Sequence, residues 1–387
     1  RFAALSRVAC QLAVGELVPG CKADLVHCND WQTGLIPAYL SLIDLPRSEK
    51  PATLFTIHNL AYQGVFSRDQ FDLLKMPEDW WQPDCLEYYG KFSFLKAGLV
   101  FSDWINTVSP SYSNEILEPE MGLGMEGLLQ HRRACLSGIL NGVDYEVWDP
   151  GHDSFIKFPY SARDLKGKHH NKSALQRQMG LTMSQNSLLV GMVSRLVGQK
   201  GFDLIIPMIE EVMGERPSTQ QPSNNRKEPL VQWILLGTGE PEYQQSIIEL
   251  NRRFPNHVAI HLGYDETLAH RVEAGCDLFL MPSRYEPCGL NQMYSLRYGA
   301  LPLVHATGGL GDSVVDSNAK TIADGTATGF SFVDYKLENL QEAFKRAQEM
   351  YRKPATWKKV QQNAMKQNFS WAQSAEQYLM LYKQLGI

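Results

Sequence analysis

Pro282-Ser283-Arg284-Tyr285-Glu286-Pro287-Cys288-Gly289-Leu290 follows an apolar stretch, Asp277 to Met281, and leads into a helix-compatible segment, Asn291 to Tyr298. The order strand, polar run, helix puts Glu286 at the carboxyl end of a strand and just before a helix N-terminus. Ligands of open α/β sheets bind at that edge. A helix N-terminus also offers free N–H groups and a favourable dipole to phosphate. A carboxylate for sugar hydroxyls beside an anion site is the equipment of a sugar-nucleotide enzyme. The plainer alternative is a tight Glu-Pro turn with Gly as punctuation.

Working outward, apolar strand-like runs alternate with helical segments almost throughout. The candidate strands are Asp24-Val26, Thr53-Ile57, Trp104-Val108, Leu188-Val193, Val231-Leu236, Val258-Leu262, Leu278-Met281, Leu301-Val304 and Gly329-Phe332. Apolar strands separated by helices predict α/β architecture with parallel sheets covered on both faces. Residues 148–168 lack periodicity and carry Pro150, Gly151, Pro159 and Gly167, which marks a candidate hinge between two domains. The polar stretch Pro217 to Pro229 reads as a solvated loop. Phe2, Leu5, Val8, Ala9 and Leu12 stand at helical spacing, as do Trp371, Tyr378, Leu381, Tyr382 and Leu385, for which core packing is the natural role.

In the second half, one strand after another ends in ligand-competent residues. Leu188-Val193 leads to Arg195 and Lys200-Gly201, Val231-Leu236 to Gly237-Thr238-Gly239, and Val258-Leu262 to Gly263-Tyr264. Leu301-Val304 leads to Thr307-Gly308-Gly309. Gly admits close backbone approach. Arg195 and Lys200 can neutralise a diphosphate, the first bidentately and the second as a point charge. Tyr264 offers a flat face to a base. Singly, each is more simply a surface residue or a turn; their recurrence at successive tips predicts a nucleotide-diphosphate pocket. The Gly-x-Gly-x-x-Gly fingerprint is absent.

The first half has tips of its own: His27-Cys28-Asn29-Asp30-Trp31, His58-Asn59-Leu60-Ala61-Tyr62-Gln63-Gly64, Ser109-Pro110-Ser111-Tyr112 and Leu140-Asn141-Gly142-Val143-Asp144. Such polar and aromatic groups suit a carbohydrate. A structural histidine is the competing reading of His58. His27, His58 and Asp30 could also be metal ligands, but their spacing fits no standard site, so no metal is expected.

Composition narrows the classes. A chain of 387 residues with 44% apolar content suits two domains with sizeable cores. The net charge of −5 argues against a general nucleic-acid partner. Seven cysteines, odd in number and without a CxxC pair, point to a reducing compartment. No apolar run is long enough to span a bilayer, so no membrane partner is expected, and no signal-peptide pattern is present.

Taken in order, these pieces resemble the bacterial glycogen synthase and plant starch synthase family. The matching runs are His27-Cys28-Asn29-Asp30-Trp31, Phe55-Thr56-Ile57-His58-Asn59-Leu60-Ala61-Tyr62-Gln63-Gly64, Ser93-Phe94-Leu95-Lys96-Ala97-Gly98, Asn106-Thr107-Val108-Ser109-Pro110 and Gly138-Ile139-Leu140-Asn141-Gly142-Val143-Asp144. Val193-Ser194-Arg195-Leu196 with Gln199-Lys200-Gly201, the Glu286 run and Thr307-Gly308-Gly309-Leu310 complete the set.

The resemblance implies a GT-B fold, two Rossmann-like domains facing across a cleft. The expected boundaries are an acceptor-side domain over 1–155, a nucleotide-sugar domain over 156–365, and a C-terminal helix over 366–387 packing back toward the first domain. It implies transfer of glucose from ADP-glucose to the non-reducing 4-OH of an α-1,4-glucan, with retained configuration and neither metal nor cofactor. Arg195 and Lys200 would bind the diphosphate, Glu286 the glucose hydroxyls, and His58 the glucose 6-OH. Asp30 and Asn141 would position sugar and leaving group. Gly263 and Tyr264 would take adenine, and Gly289, Leu290 and Asn291 the phosphate at the helix N-terminus. Cys288 would lie beside them as a structural thiol. The expected location is bacterial cytoplasm or plastid stroma.

The family begins with a strand and a Lys-x-Gly-Gly-Leu loop, and nothing matching precedes Arg1. The chain is therefore expected to be cut from a longer one, with a first domain lacking both. Asn29 and Gln32 stand where the family often has His. The competing expectations are UDP-glucose as donor on the same fold, and a catalytically silent glucan-binding protein.

Overall fold

The computed structural model describes residues 1–18, 20–214 and 231–387, so the loop expected at 217–229 lies outside the described residues. The chain divides into two compact units, residues 1–141 with 372–387, and residues 142–371.

In unit 1, helix α1 (Phe2–Ala13) precedes strand β1 (Leu25–Asn29), helix α2 (Leu35–Leu42) and strand β2 (Ala52–Ile57). Three short strands follow: β3 (Val65–Phe66), β4 (Glu87–Tyr88) and β5 (Lys91–Ser93). Helix α3 (Phe94–Phe101), strand β6 (Trp104–Thr107) and strand β7 (Leu136–Gly138) complete the unit's central part. The main sheet runs β1-β2-β6-β7 with every pairing parallel. Its middle strands are apolar because both faces are covered: Leu54, Phe55, Ile57 and Ile105 are fully buried. Ser93 caps α3, accepting from the Lys96 N–H.

Unit 2 opens with helix α4 (Lys166–Gln178) and strands β8 (Leu188–Val193), β9 (Val231–Gly237) and β10 (Val258–Leu262). Helix α5 (Glu266–Gly275), strand β11 (Leu278–Met281) and helix α6 (Asn291–Tyr298) follow. Strands β12 (Leu301–His305) and β13 (Phe330–Phe332) and helix α7 (Pro354–Met365) complete the unit. The sheet is six-stranded and parallel throughout, in the order β10-β9-β8-β11-β12-β13. Numbered within the unit, that order is 3-2-1-4-5-6, the Rossmann order, and it reverses between β8 and β11. Trp233 stacks on Phe344 at 5.3 Å in the centre of the core. Each fully buried Leu, Ile or Phe there contributes about 1.5–3 kcal/mol.

Helix α8 (Trp371–Gln384) returns to unit 1. Leu381 packs with Leu54 and Ile139, and Ser374 Oγ donates to the Leu140 carbonyl over 2.7 Å. Trp371, expected in that packing stripe, is instead about half exposed.

Other expectations are corrected. Residues 148–168 are no hinge: Trp148 stacks on His270 and Tyr294, and Tyr160 Oη donates to the Tyr298 carbonyl over 2.8 Å, so the stretch is bound into unit 2. Leu5, Val8 and Leu12 of α1 are exposed, while Ser6, Cys10 and Ala13 are buried. The small residues let α1 approach α2 closely enough for Cys10 Sγ to reach the Ile36 carbonyl. His27, Cys28 and Asn29 belong to β1 itself rather than to a tip beyond it. The antiparallel sheet β3-β5-β4 was not foreseen.

Candidate active site

At the reversal between β8 and β11 lies a cavity of about 230 Å³. Its lining includes Arg195, Lys200, Ser283, Glu286, Leu290 and Asn291, with Met192 and Met281 behind them. Parallel strands place every carboxyl tip on one edge, and β8 and β11 are the strands whose tips diverge there. This cavity therefore gathers most of the residues that the sequence indicated in the second half.

Glu286 is the centre of its polar contacts. Its Oε2 accepts from Lys200 Nζ at 2.5 Å and from Ser283 Oγ at 2.9 Å. Both side chains of the ion pair are largely buried, at 16% exposure for Lys200 and 10% for Glu286. Gln199 braces the floor: its carbonyl accepts from the Arg284 N–H, and its Nε2 donates to the Tyr285 carbonyl. Arg195 reaches Gln199 Oε1 at 3.4 Å. Asn291 Nδ2 donates to the Val193 carbonyl over 2.7 Å, which ties the first residue of α6 to the end of β8.

Two glycines are required by geometry. Gly289 has φ +68, and a Cβ there would meet Gln292 Oε1 at 2.5 Å. Gly308 has φ +46, and a Cβ there would stand 2.1 Å from the Glu286 carbonyl oxygen. A side chain at Gly308 would push on the backbone that carries the acid.

Not every indicated residue lines the cavity. Cys288 is buried and absent from its lining. Gly263 and Tyr264 stand at the tip of β10, also outside the lining, and Tyr264 is 87% exposed. Its ring has an open face, as a stacking platform requires.

In unit 1, the residues after β1, β2 and β7 share the carboxyl edge of their parallel sheet. Asp30 has φ +57, unusual for a residue with a side chain, and its Oδ1 accepts from the His58 backbone N–H over 2.8 Å. With ψ 177 this conformation falls in a region otherwise left to glycine, so the backbone at Asp30 is strained. His58 Nε2 bonds to Asn29 Oδ1 at 2.9 Å, and the ring is only half buried. Asn141 follows β7 and is also half buried. His27 is different in kind. Its nitrogens bond to Tyr382 Oη at 2.9 Å and Thr56 Oγ1 at 2.7 Å, and burial, helped by the charge of His58, pushes it down to about 4. A neutral, doubly bonded ring is a structural histidine. Among the described residues, no group of three or more His, Cys, Asp or Glu is placed to hold a metal ion.

Sequence reasoning missed how α6 is held. Trp148 lies between His270 and Tyr294, with ring centroids 3.7 and 3.9 Å away. Arg297 Nε donates to Asp149 Oδ2 over 3.0 Å, and Tyr298 Oη donates to Asp153 Oδ2 over 2.6 Å. Burial raises the Asp153 carboxyl, but hydrogen bonds from His270 and Tyr298 outweigh it and hold the group below its usual value. One face of the helix is thus clamped by residues 148–160. The only sequence signal was the aromatic spacing of Tyr294 and Tyr298 on a short polar helix.

Residues 1–131 match the starch synthase catalytic domain family, and residues 180–365 match the glycosyl transferases group 1 family. The chain is 48% identical over 364 residues to glycogen synthase 2 of Nitrosococcus oceani, covering 94% of this chain and 70% of that protein. It is 48% identical over 385 residues to glycogen synthase of Cellvibrio japonicus, covering 100% and 76%. The structure is similar to the catalytic domain of starch synthase IV from Arabidopsis thaliana bound to ADP and acarbose. The TM-score is 0.87 and the identity 34%, over 99% of this chain and 76% of that one. Two parallel α/β units, the site at the strand-order reversal and these similarities agree: the chain belongs to the glycogen synthase and starch synthase family of glycosyltransferases and has the GT-B fold.

Proposed function

We propose that this protein is a retaining glucosyltransferase that moves glucose from ADP-glucose to the non-reducing 4-OH of an α-1,4-glucan. The observation that carries the reading is the convergence of Arg195, Lys200, Glu286 and the start of α6, Gly289 and Leu290 before it and Asn291 as its first residue, on one cavity. Two cations and a helix N-terminus suit a diphosphate. A carboxylate beside them suits the hydroxyls of the sugar it carries. The solved relative bound to ADP and acarbose supports an adenine nucleotide and a glucan-like ligand for the fold.

In this mechanism the bond between glucose C1 and the diphosphate oxygen breaks, and its electron pair leaves with ADP. Arg195 and Lys200 are fixed positive charges where that negative charge develops. The glucan O4 forms the new bond to C1 on the face that ADP leaves, and its proton passes to the departing phosphate oxygen. Glu286, with Oε2 already held by Lys200 and Ser283, suits hydroxyl binding and stabilisation of the cationic sugar better than covalent attack. By family resemblance, His58 takes the glucose 6-OH, Asp30 and Asn141 position sugar and leaving group, and Tyr264 with Gly263 takes adenine. Cys288 remains a structural thiol, and the reaction requires no metal or cofactor. The partners are the two substrates. No helix among the described residues is long and apolar enough to cross a membrane.

The test is calorimetric titration with ADP and UDP, followed by glucan-dependent release of nucleotide from ADP-glucose and UDP-glucose. Tighter binding of ADP and transfer from ADP-glucose are expected, with labelled product that an α-1,4-specific glucosidase degrades. Preference for UDP, or product resistant to that glucosidase, would overturn the reading.

A further inference from the structure

Strands β8 and β11 end at the candidate active site, and they begin at a second cavity. Gln185 and Asn186 precede β8, Asp277 precedes β11, and all three line a space of about 770 Å³ at the opposite edge of the sheet. That volume is in the range of small-molecule sites. Six cations line it, Arg163, Lys166, Lys168, Lys172, Arg352 and Lys358, against two carboxylates, Asp164 and Asp277.

The imbalance extends to the buried floor. Lys168 and Lys172, one turn apart on α4, are 4% and 2% exposed. Lys172 is fully engaged: it pairs with Asp277 Oδ2 at 2.7 Å and donates to the Gln185 and Ser187 carbonyls and to Tyr351 Oη. Lys168 has no carboxylate within ion-pair distance among the described residues. Its Nζ reaches only the Glu273 and Ala274 carbonyls, each at 3.3 Å, and lies over the Tyr160 ring. Glu273 does not supply the missing charge. Burial holds its carboxyl well above the usual carboxylate range, and Oε2 accepts from Ser295. Burial pushes the Lys168 ammonium below its usual value, the cost of a charge held only by carbonyls, and an anion in the cavity would offset that cost.

The rim has the same sign. No carboxylate lies within ion-pair distance of Arg163, Lys166 or Lys358 among the described residues. Helix α7 starts on the cavity wall at Pro354, with no side-chain cap and no acidic residue in its first turn. Leu165, Pro354 and Trp357 add apolar wall.

We propose that this cavity binds a small phosphorylated sugar, its phosphate held by Arg163, Lys168 and Lys358 and its ring lying against the apolar wall. The ligand is distinct from the glucosyl donor, because the site lies at the other end of the strands. The inference goes beyond the proposed reaction and is independent of it.

The test uses the full chain carrying Lys200→Ala, which weakens phosphate binding in the donor cavity. It is titrated calorimetrically with ribose 5-phosphate, which has no glucosyl ring, and with inorganic phosphate. One ribose 5-phosphate should bind, more tightly than inorganic phosphate. Adding Arg163→Glu and Lys358→Glu, both exposed, should lower its affinity by at least about tenfold. Lys168→Met, judged only if its thermal unfolding stays cooperative, should do the same. Affinity unchanged by the charge reversals, no binding of ribose 5-phosphate, or equal affinity for the two probes would each overturn the assignment.

Discussion

The Nζ of Lys200 stands 2.5 Å from Oε2 of Glu286, so a cation following β8 is joined to a carboxylate following β11 across the point where strand order reverses. Neither group has much water to fall back on. In the proposed reaction this ammonium faces the diphosphate while it still holds Oε2 of the carboxylate. The pair ties the two strand tips to each other.

Lys200→Ala removes a charge aimed at the leaving group and leaves Glu286 without its ion-pair partner. Its kcat should fall by roughly 10²–10³-fold. Glu286→Gln should also lower kcat, and the double variant should fall short of the product of the two by an interaction of about 0.5–3 kcal/mol. Steady-state kinetics on the four proteins measures this coupling. Strict additivity would mean that the pair is incidental.

Gly308→Ala should disturb the acid without touching its side chain. The added Cβ would lie 2.1 Å from the Glu286 carbonyl oxygen, in a backbone conformation that already disfavours a side chain. A loss of about 1–3 kcal/mol in unfolding free energy is expected, together with weaker ADP binding. Stability and affinity both at the parent level would show that the loop yields freely.

Trp148→Ala removes the middle ring of a three-ring stack that holds α6, the helix whose first residue reaches the cavity. Because Trp148 is only partly buried, the cost should be about 2–3 kcal/mol, below the full core value. Urea unfolding measures it. If Trp148 positions the helix as well as stabilising it, Trp148→Phe should recover ADP affinity more completely than it recovers stability.

Several of these relationships were legible from residue order and others were not. The strands of unit 2 are short apolar runs closed by Gly or polar residues, and that punctuation exposed Arg195, Lys200 and Glu286 together. The strands β3, β4 and β5 span two or three residues each, too few to show a period. Residues 148–168 read as a linker because Pro and Gly interrupt them, yet Trp148, Asp153 and Tyr160 bind to α5 and α6 through rings and hydrogen bonds that carry no local pattern. In α1 the rule itself misled: small residues face the neighbouring helix and larger apolar ones face outward. Ser283 was in plain view within the decisive run, but only geometry shows that its hydroxyl is bonded to Glu286.

Stability in mild acid should depend on His27. Its folded value is about 4, set first by burial, against an unfolded value near 6.5. The unfolded chain therefore binds the proton first, so the contribution is complete above about pH 6.5 and is lost as pH falls toward about 4. Partial solvent access limits it to the order of 2 kcal/mol. Urea midpoints between these values should rise with pH in the parent, and the slope should flatten in His27→Gln. An unchanged slope would assign the acid sensitivity to other groups.

Tyr264 provides the sharpest separation of fold from ligand. It is 87% exposed at the tip of β10 and packs against little, so Tyr264→Ala should leave the unfolding midpoint where it was. If its ring carries adenine, the loss should be about 1–3 kcal/mol of binding, or roughly 5- to 150-fold in ADP affinity. Tyr264→Phe keeps the stacking face and should bind nearly as the parent does. The same substitutions should matter little for pyrophosphate, which has no base to stack. An equal loss for ADP and pyrophosphate would place the effect on the diphosphate and remove Tyr264 from the nucleotide site.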